Sequence, residues 1–110
     1  MSKDPIRGKT VRWSFDDGPM KDKTFEHTFD ASGAVTFRMV GGGADKGTTV
    51  DSSEIEALGD DVCVVSYLGP SGYTLTTVLD MRDGKLVAFA SNEKELIVQH
   101  GRFHFVQGSE

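Results

Sequence analysis

The chain is predicted to be all-β: one antiparallel barrel or half-barrel built from about eight short strands. Three observations predict it. Apolar and polar residues alternate in short runs rich in aromatic and β-branched side chains. Clusters of Asp, Gly and Ser interrupt those runs roughly every 10–13 residues, spacing that suits hairpins and leaves no room for parallel crossovers. No stretch carries a convincing long helical period. With 110 residues, the sequence has room for a single domain spanning 1–110, with its core roughly within 8–106.

The elements follow in order. Lys9 to Phe15 sets Val11, Trp13 and Phe15 against Thr10, Arg12 and Ser14, the signature of a half-buried strand, and Asp16-Asp17-Gly18-Pro19 ends it. Thr24 to Asp30 puts Phe25, His27 and Phe29 on one face, before a reversal at Ala31-Ser32-Gly33. Ala34 to Val40 alternates Val35, Phe37 and Met39 with Thr36, Arg38 and Val40. Gly41-Gly42-Gly43 then opens a polar loop to about Thr49, read as a flexible loop at the barrel mouth. It lacks the Lys-Ser/Thr and helix start of a phosphate loop.

Val50 to Leu58 could form a short helix capped by Ser52 or Ser53, but its strand neighbours on both sides favour a strand. Val62 to Leu68 is apolar on both faces, as in a central strand covered on both sides. Gly69-Pro70-Ser71-Gly72 turns the chain into Tyr73 to Met81, and Arg82-Asp83-Gly84 into Lys85 to Ala90. Glu95 to Gln99 and Arg102 to Val106 complete the set, with Gly101 a candidate bulge or bend.

Charge and composition narrow the function classes. The net charge is −5, with acids and bases interspersed and no basic face to neutralise phosphates, so no nucleic-acid partner is expected. No run is long and apolar enough to cross a bilayer, and no apolar leader follows Met1, so the expected setting is cytoplasmic, without a membrane partner. A single cysteine, Cys63, excludes an intramolecular disulfide and reads as a packing residue in the most apolar strand.

Few residues suggest chemistry. His27, His100 and His104 do not form a metal-binding pattern, so neither a metal nor another cofactor is expected. No Gly-x-Ser-x-Gly elbow supports serine catalysis. Asp16-Asp17 and Asp60-Asp61 are carboxylate pairs in turn contexts. Arg38 stands out as a cation in mid-strand: turned inward it would need an acid or a ligand carboxylate, and turned outward it would cover apolar surface with its stem.

In order and spacing, several short segments resemble the calycin-type barrels of the MoaF-like and phenolic acid decarboxylase-like group. They are Gly8-Lys9-Thr10-Val11-Arg12-Trp13-Ser14-Phe15-Asp16-Asp17-Gly18, Val35-Thr36-Phe37-Arg38, Val65-Ser66-Tyr67-Leu68-Gly69-Pro70-Ser71-Gly72, Val78-Leu79-Asp80 and Gly84-Lys85-Leu86. The resemblance runs from Gly8 to about Phe105 and implies a calycin/lipocalin-like barrel with a central pocket. In the decarboxylases, two first-strand tyrosines hold the substrate carboxylate, and an arginine and a glutamate assist. By motif those tyrosine positions fall on Trp13 and Phe15, the arginine on Arg38, and the glutamate at or beside Asp60. An indole and a phenyl ring cannot replace two phenol hydroxyls, so the MoaF-like branch fits better than decarboxylation.

The resulting expectation is a small-molecule-binding protein with Trp13, Phe15, Arg38 and Tyr67 in its pocket and a small aromatic or anionic ligand. Phe37 is a further aromatic candidate, but if Arg38 faces inward Phe37 faces outward. Two alternatives stay open. One is a lyase or isomerase acting on a small organic acid, with Arg38 stabilising negative charge and Asp60 or His27 moving a proton. The other is a structural domain with a filled interior, pairing as a homodimer through an exposed sheet face.

Overall fold

A computed structural model describes residues 6–30, 32–40, 47–50, 53–69 and 72–106. Among them every regular element is a strand. These are β1 (Lys9–Phe15), β2 (Thr24–Phe29), β3 (Val35–Met39), β4 (Thr48–Val50), β5 (Glu54–Ala57), β6 (Val62–Leu68), β7 (Thr74–Asp80), β8 (Lys85–Ser91) and β9 (Leu96–Phe105). All pair antiparallel in one curled sheet of order β4-β3-β2-β1-β9-β8-β7-β6-β5. Among the described residues no helix is long and apolar enough to cross a membrane. The Gly41-Gly42-Gly43 loop lies outside the described residues.

The period-two pattern sends one face of each strand into the hollow. Val11, Trp13 and Phe15 of β1, Phe29 of β2, Val35 of β3, Cys63, Val65 and Tyr67 of β6, Leu79 of β7 and Phe103 of β9 are all buried there. Ile6 packs in the same core, ahead of the first strand. Register is tight because a one-residue slip would turn the aromatic set outward.

Three expectations are corrected. The strand count is nine, because the polar loop expected to run to about Thr49 ends in a short strand, β4, ahead of the strand expected over 50–58, which forms as β5. Closure is also incomplete: β4 and β5 are the outermost strands of the sheet and share no ladder among the described residues. The protein is therefore a half-barrel, not a closed eight-stranded one. Finally, β6 is not covered on both sides. Its inner residues are buried, Val62 and Val64 are half-buried, and Leu68 is 72% exposed.

Gly101 is no bulge. β9 runs unbroken through it, and Gly101 pairs in register with Phe15. A Cβ there would stand 2.0 Å from the Ser14 carbonyl oxygen. The glycine permits β1 and β9 to come together there.

Where the backbone leaves the curl open, side chains span it. Arg7 donates to the Ser53 carbonyl (3.0 Å), and the Ser53 hydroxyl donates to the Gly33 carbonyl (3.0 Å). This ties the start of β5 to the β2–β3 hairpin.

Candidate functional site

The inward face encloses a cavity of about 380 Å³. Its walls are built strand by strand. β1 supplies Trp13 and Phe15, β2 supplies Phe25 and His27, and β3 supplies Phe37. Facing them are Tyr67 of β6, Leu75 and Thr77 of β7, Ala88 and Ala90 of β8, and Ile97 and Gln99 of β9. Small residues on β8 leave the space that larger ones would fill. Pro19 and Met20 of the β1–β2 loop complete one side, and Met20 is 39% exposed, so this loop borders the opening.

That loop is held in place from inside. Gln99 Oε1 accepts a hydrogen bond from the Met20 amide (2.9 Å). Gly18, at φ 79°, brings the backbone so near Gln99 that a Cβ would lie 2.5 Å from its side chain. Asp17 fastens the other end, accepting from the His100 amide (2.7 Å) while its second oxygen meets His100 Nδ1 (2.9 Å). These bonds hold the Asp17 carboxyl below its usual range.

The polar centre of the cavity wall is His27. Cross-strand neighbours place Val11 and Phe37 on either side of it. Its ring stacks on Trp13 with centroids 3.8 Å apart and lies 5.6 Å from Phe37. Across the hollow, Nε2 meets Tyr67 Oη at 2.9 Å, joining β2 to β6. Nδ1 is buried without a hydrogen-bond partner among the described residues. Burial alone pushes His27 down to about 3, so the imidazole is neutral near pH 7; burial also pushes the Tyr67 phenol up, so it stays protonated.

Trp13, Phe15, His27 and Tyr67 thus lie together on the cavity wall, and Phe37 joins them. Arg38 does not, which corrects the expectation of an inward guanidinium. Since Phe37 takes the inner position of β3, alternation turns Arg38 outward, where its side chain is 41% exposed. There it pairs with Glu26 at 2.8 Å, and Arg12 bonds the same carboxylate through its other oxygen. Arg12, Glu26 and Arg38 occupy one cross-strand row on the outer face. Both arginines hold the Glu26 carboxyl below its usual range, the Arg12 hydrogen bond most strongly.

Asp60 is corrected likewise. It is exposed in the β5–β6 turn and takes no part in the cavity lining. His100 and His104 lie exposed on the outer face of β9, and among the described residues no three His, Cys, Asp or Glu side chains group as metal ligands.

Sequence reasoning missed Gln99, Thr77 and Met20. The first two were legible as polar members of inward rows, Ile97-x-Gln99 and Leu75-x-Thr77-x-Leu79. Met20 carries no periodic signal because it sits in a loop.

No protein-family model and no curated protein matches the chain. Among solved structures, it is similar to a protein from Burkholderia vietnamiensis provisionally described as a beta-lactamase. The TM-score is 0.76 at 16% identity, over 96% of this chain and 100% of that one. Likeness at that identity extends to the fold, an all-β curled antiparallel sheet.

Proposed function

We propose that this protein binds a small, flat, uncharged organic molecule inside the curled sheet. One observation carries the reading. The cavity of about 380 Å³ is walled by aromatic and aliphatic side chains, and no Lys, Arg, Asp or Glu lines it among the described residues. That volume lies toward the lower end of the roughly 300–1,000 Å³ range of small-molecule sites, and suits two or three fused rings. A carboxylate entering this space would lose its hydration and meet no cation, so the anionic ligand expected with Arg38 is disfavoured. In this reading the half-barrel is a calycin-like fold and the chain a MoaF-like binding protein.

The alternatives fare less well. A lyase or isomerase has Arg38 and Asp60 outside the cavity, and of its candidate groups only His27 lines the wall, where burial holds the imidazole neutral near pH 7. The filled structural domain has no use for the hollow. Hydrolysis, which the description of the Burkholderia protein would suggest, finds little to use here. Ser91-Asn92-Glu93-Lys94 has Ser-x-x-Lys spacing, but it spans the end of β8 and an exposed turn and does not line the cavity.

Trp13, the one tryptophan of the chain, reports on the site. Its fluorescence is expected to change saturably with 2-methylnaphthalene, and at least tenfold higher concentrations of 2-naphthoate should be needed. Arg38→Ala should leave both titrations unchanged and cost about 1 kcal/mol of stability or less, since Arg38 is half-exposed and Glu26 keeps its bond to Arg12. Tighter binding of the carboxylate, lost in Arg38→Ala, would overturn the proposal, as would a Trp13 signal that neither compound moves.

A further inference from the structure

The cavity is apolar but not featureless, and its polar centre says what the guest must carry. Tyr67 and His27 meet from opposite walls, and each is the other's hydrogen-bond partner among the described residues. Resting on the binding role proposed above, we infer that Tyr67 donates its hydroxyl proton to the guest, and that the site selects flat neutral molecules bearing a hydrogen-bond acceptor such as a ring carbonyl.

The argument turns on where the protons sit. Two arrangements satisfy the 2.9 Å contact. In one, Tyr67 donates to His27 Nε2, and the imidazole proton must then reside on Nδ1. That nitrogen is buried and has no acceptor among the described residues, so the arrangement strands a buried N–H. Orphaned buried N–H groups are the rarest unsatisfied groups in folded proteins.

In the other arrangement, Nε2–H donates to Tyr67 Oη and Nδ1 holds only a lone pair. Neutral imidazole prefers this tautomer intrinsically, and an unpaired lone pair costs less than an unpaired donor. Trp13 and Phe37 hold the ring in the plane that aims Nε2 at the phenol. Once Tyr67 Oη accepts that bond, its own proton has no acceptor among the described residues and the cavity beside it. A guest carbonyl supplies the missing partner.

Both groups keep these roles over the ordinary pH range, since burial keeps the imidazole uncharged and the phenol protonated. A charged acceptor is disfavoured by the walls, which contain no Lys or Arg among the described residues. At this pair a guest donor finds little, because Nδ1 is buried and Oη already accepts from Nε2. The selected chemistry is therefore an aryl ketone, a quinone or a similar neutral carbonyl compound.

The test compares two probes of one shape, 1-tetralone and tetralin, by amide chemical-shift titration of the intact chain. 1-Tetralone is expected to bind more tightly than tetralin. Tyr67→Phe should weaken 1-tetralone by roughly 3- to 10-fold, the worth of one neutral hydrogen bond, and leave tetralin unchanged. Long-range proton–nitrogen correlation of the unliganded protein should show His27 protonated on Nε2. Equal losses for both probes, or no loss for either, would overturn the assignment of Tyr67 while leaving the apolar binding role intact. A proton on Nδ1 would overturn it too. If neither probe shifts any cavity amide, the binding role itself fails, and this inference with it.

Discussion

A neutral imidazole in an aromatic cavity ties stability to pH. His27 titrates at about 3 in the folded chain against 6.5 for the free side chain. The unfolded chain therefore takes up the proton first as pH falls. The stabilisation is complete above pH 6.5 and drains away between 6.5 and 3, at roughly 1.4 kcal/mol per pH unit. Carboxylates held low in the fold, such as Asp17 and Glu26, add a loss of the same sign only below their own unfolded values near 4. Urea unfolding at pH 7 and pH 5 separates the two. His27→Phe should flatten the dependence in that interval; an unchanged slope would mean that His27 is already protonated or solvated in the native state.

Among the elements, the seam between β1 and β9 is the most constrained. Gly101 faces inward between Gln99 and Phe103, with the Ser14 carbonyl oxygen 2.0 Å from where a Cβ would stand. Gly101→Ala has to push the two strands apart, a change expected to cost about 1–3 kcal/mol, as overpacking does. Thermal unfolding would show it as a lowered Tm, and a wild-type Tm would refute the close approach. This feature was half legible. The sequence marked Gly101 as exceptional, but nothing local distinguishes a glycine that bends a strand from one that admits a neighbouring backbone 86 residues earlier in the numbering. Likewise Glu26, Arg12 and Arg38 show their complementarity only once register aligns them. The alternation of β3 always offered two readings, Phe37 inside or Arg38 inside. Charge cost favours the first wherever an acid waits on the outer face, as Glu26 does.

For the molecule as a whole, the all-β class and most strand positions were legible because aromatic alternation and Asp/Gly turns are local signals. Trp13, Phe15, His27 and Tyr67 could be named for the same reason: each lies in an inward row. Nonlocal features were not legible. The meeting of His27 with Tyr67 depends on curvature accumulated over six strands, from β2 through β1, β9, β8 and β7 to β6. The division of the middle of the chain into β4 and β5 depends on which edge each short segment finds. Exchange of amide protons should follow that hierarchy. Protection is expected to be lowest in β4 and β5, which pair on one side only, and highest in β7 and β8. Equal protection throughout would point to a ladder between β4 and β5 that this arrangement lacks.

The unjoined edges have a consequence for capacity. In a fully closed barrel, strand number and stagger set the diameter, and nothing short of unfolding enlarges it. Here girth is governed instead by the reach of one imidazole and one phenol across the bore, together with the clasp of Arg7 and Ser53. Such a vessel can be resized by substituting a few side chains, with no strand added or removed.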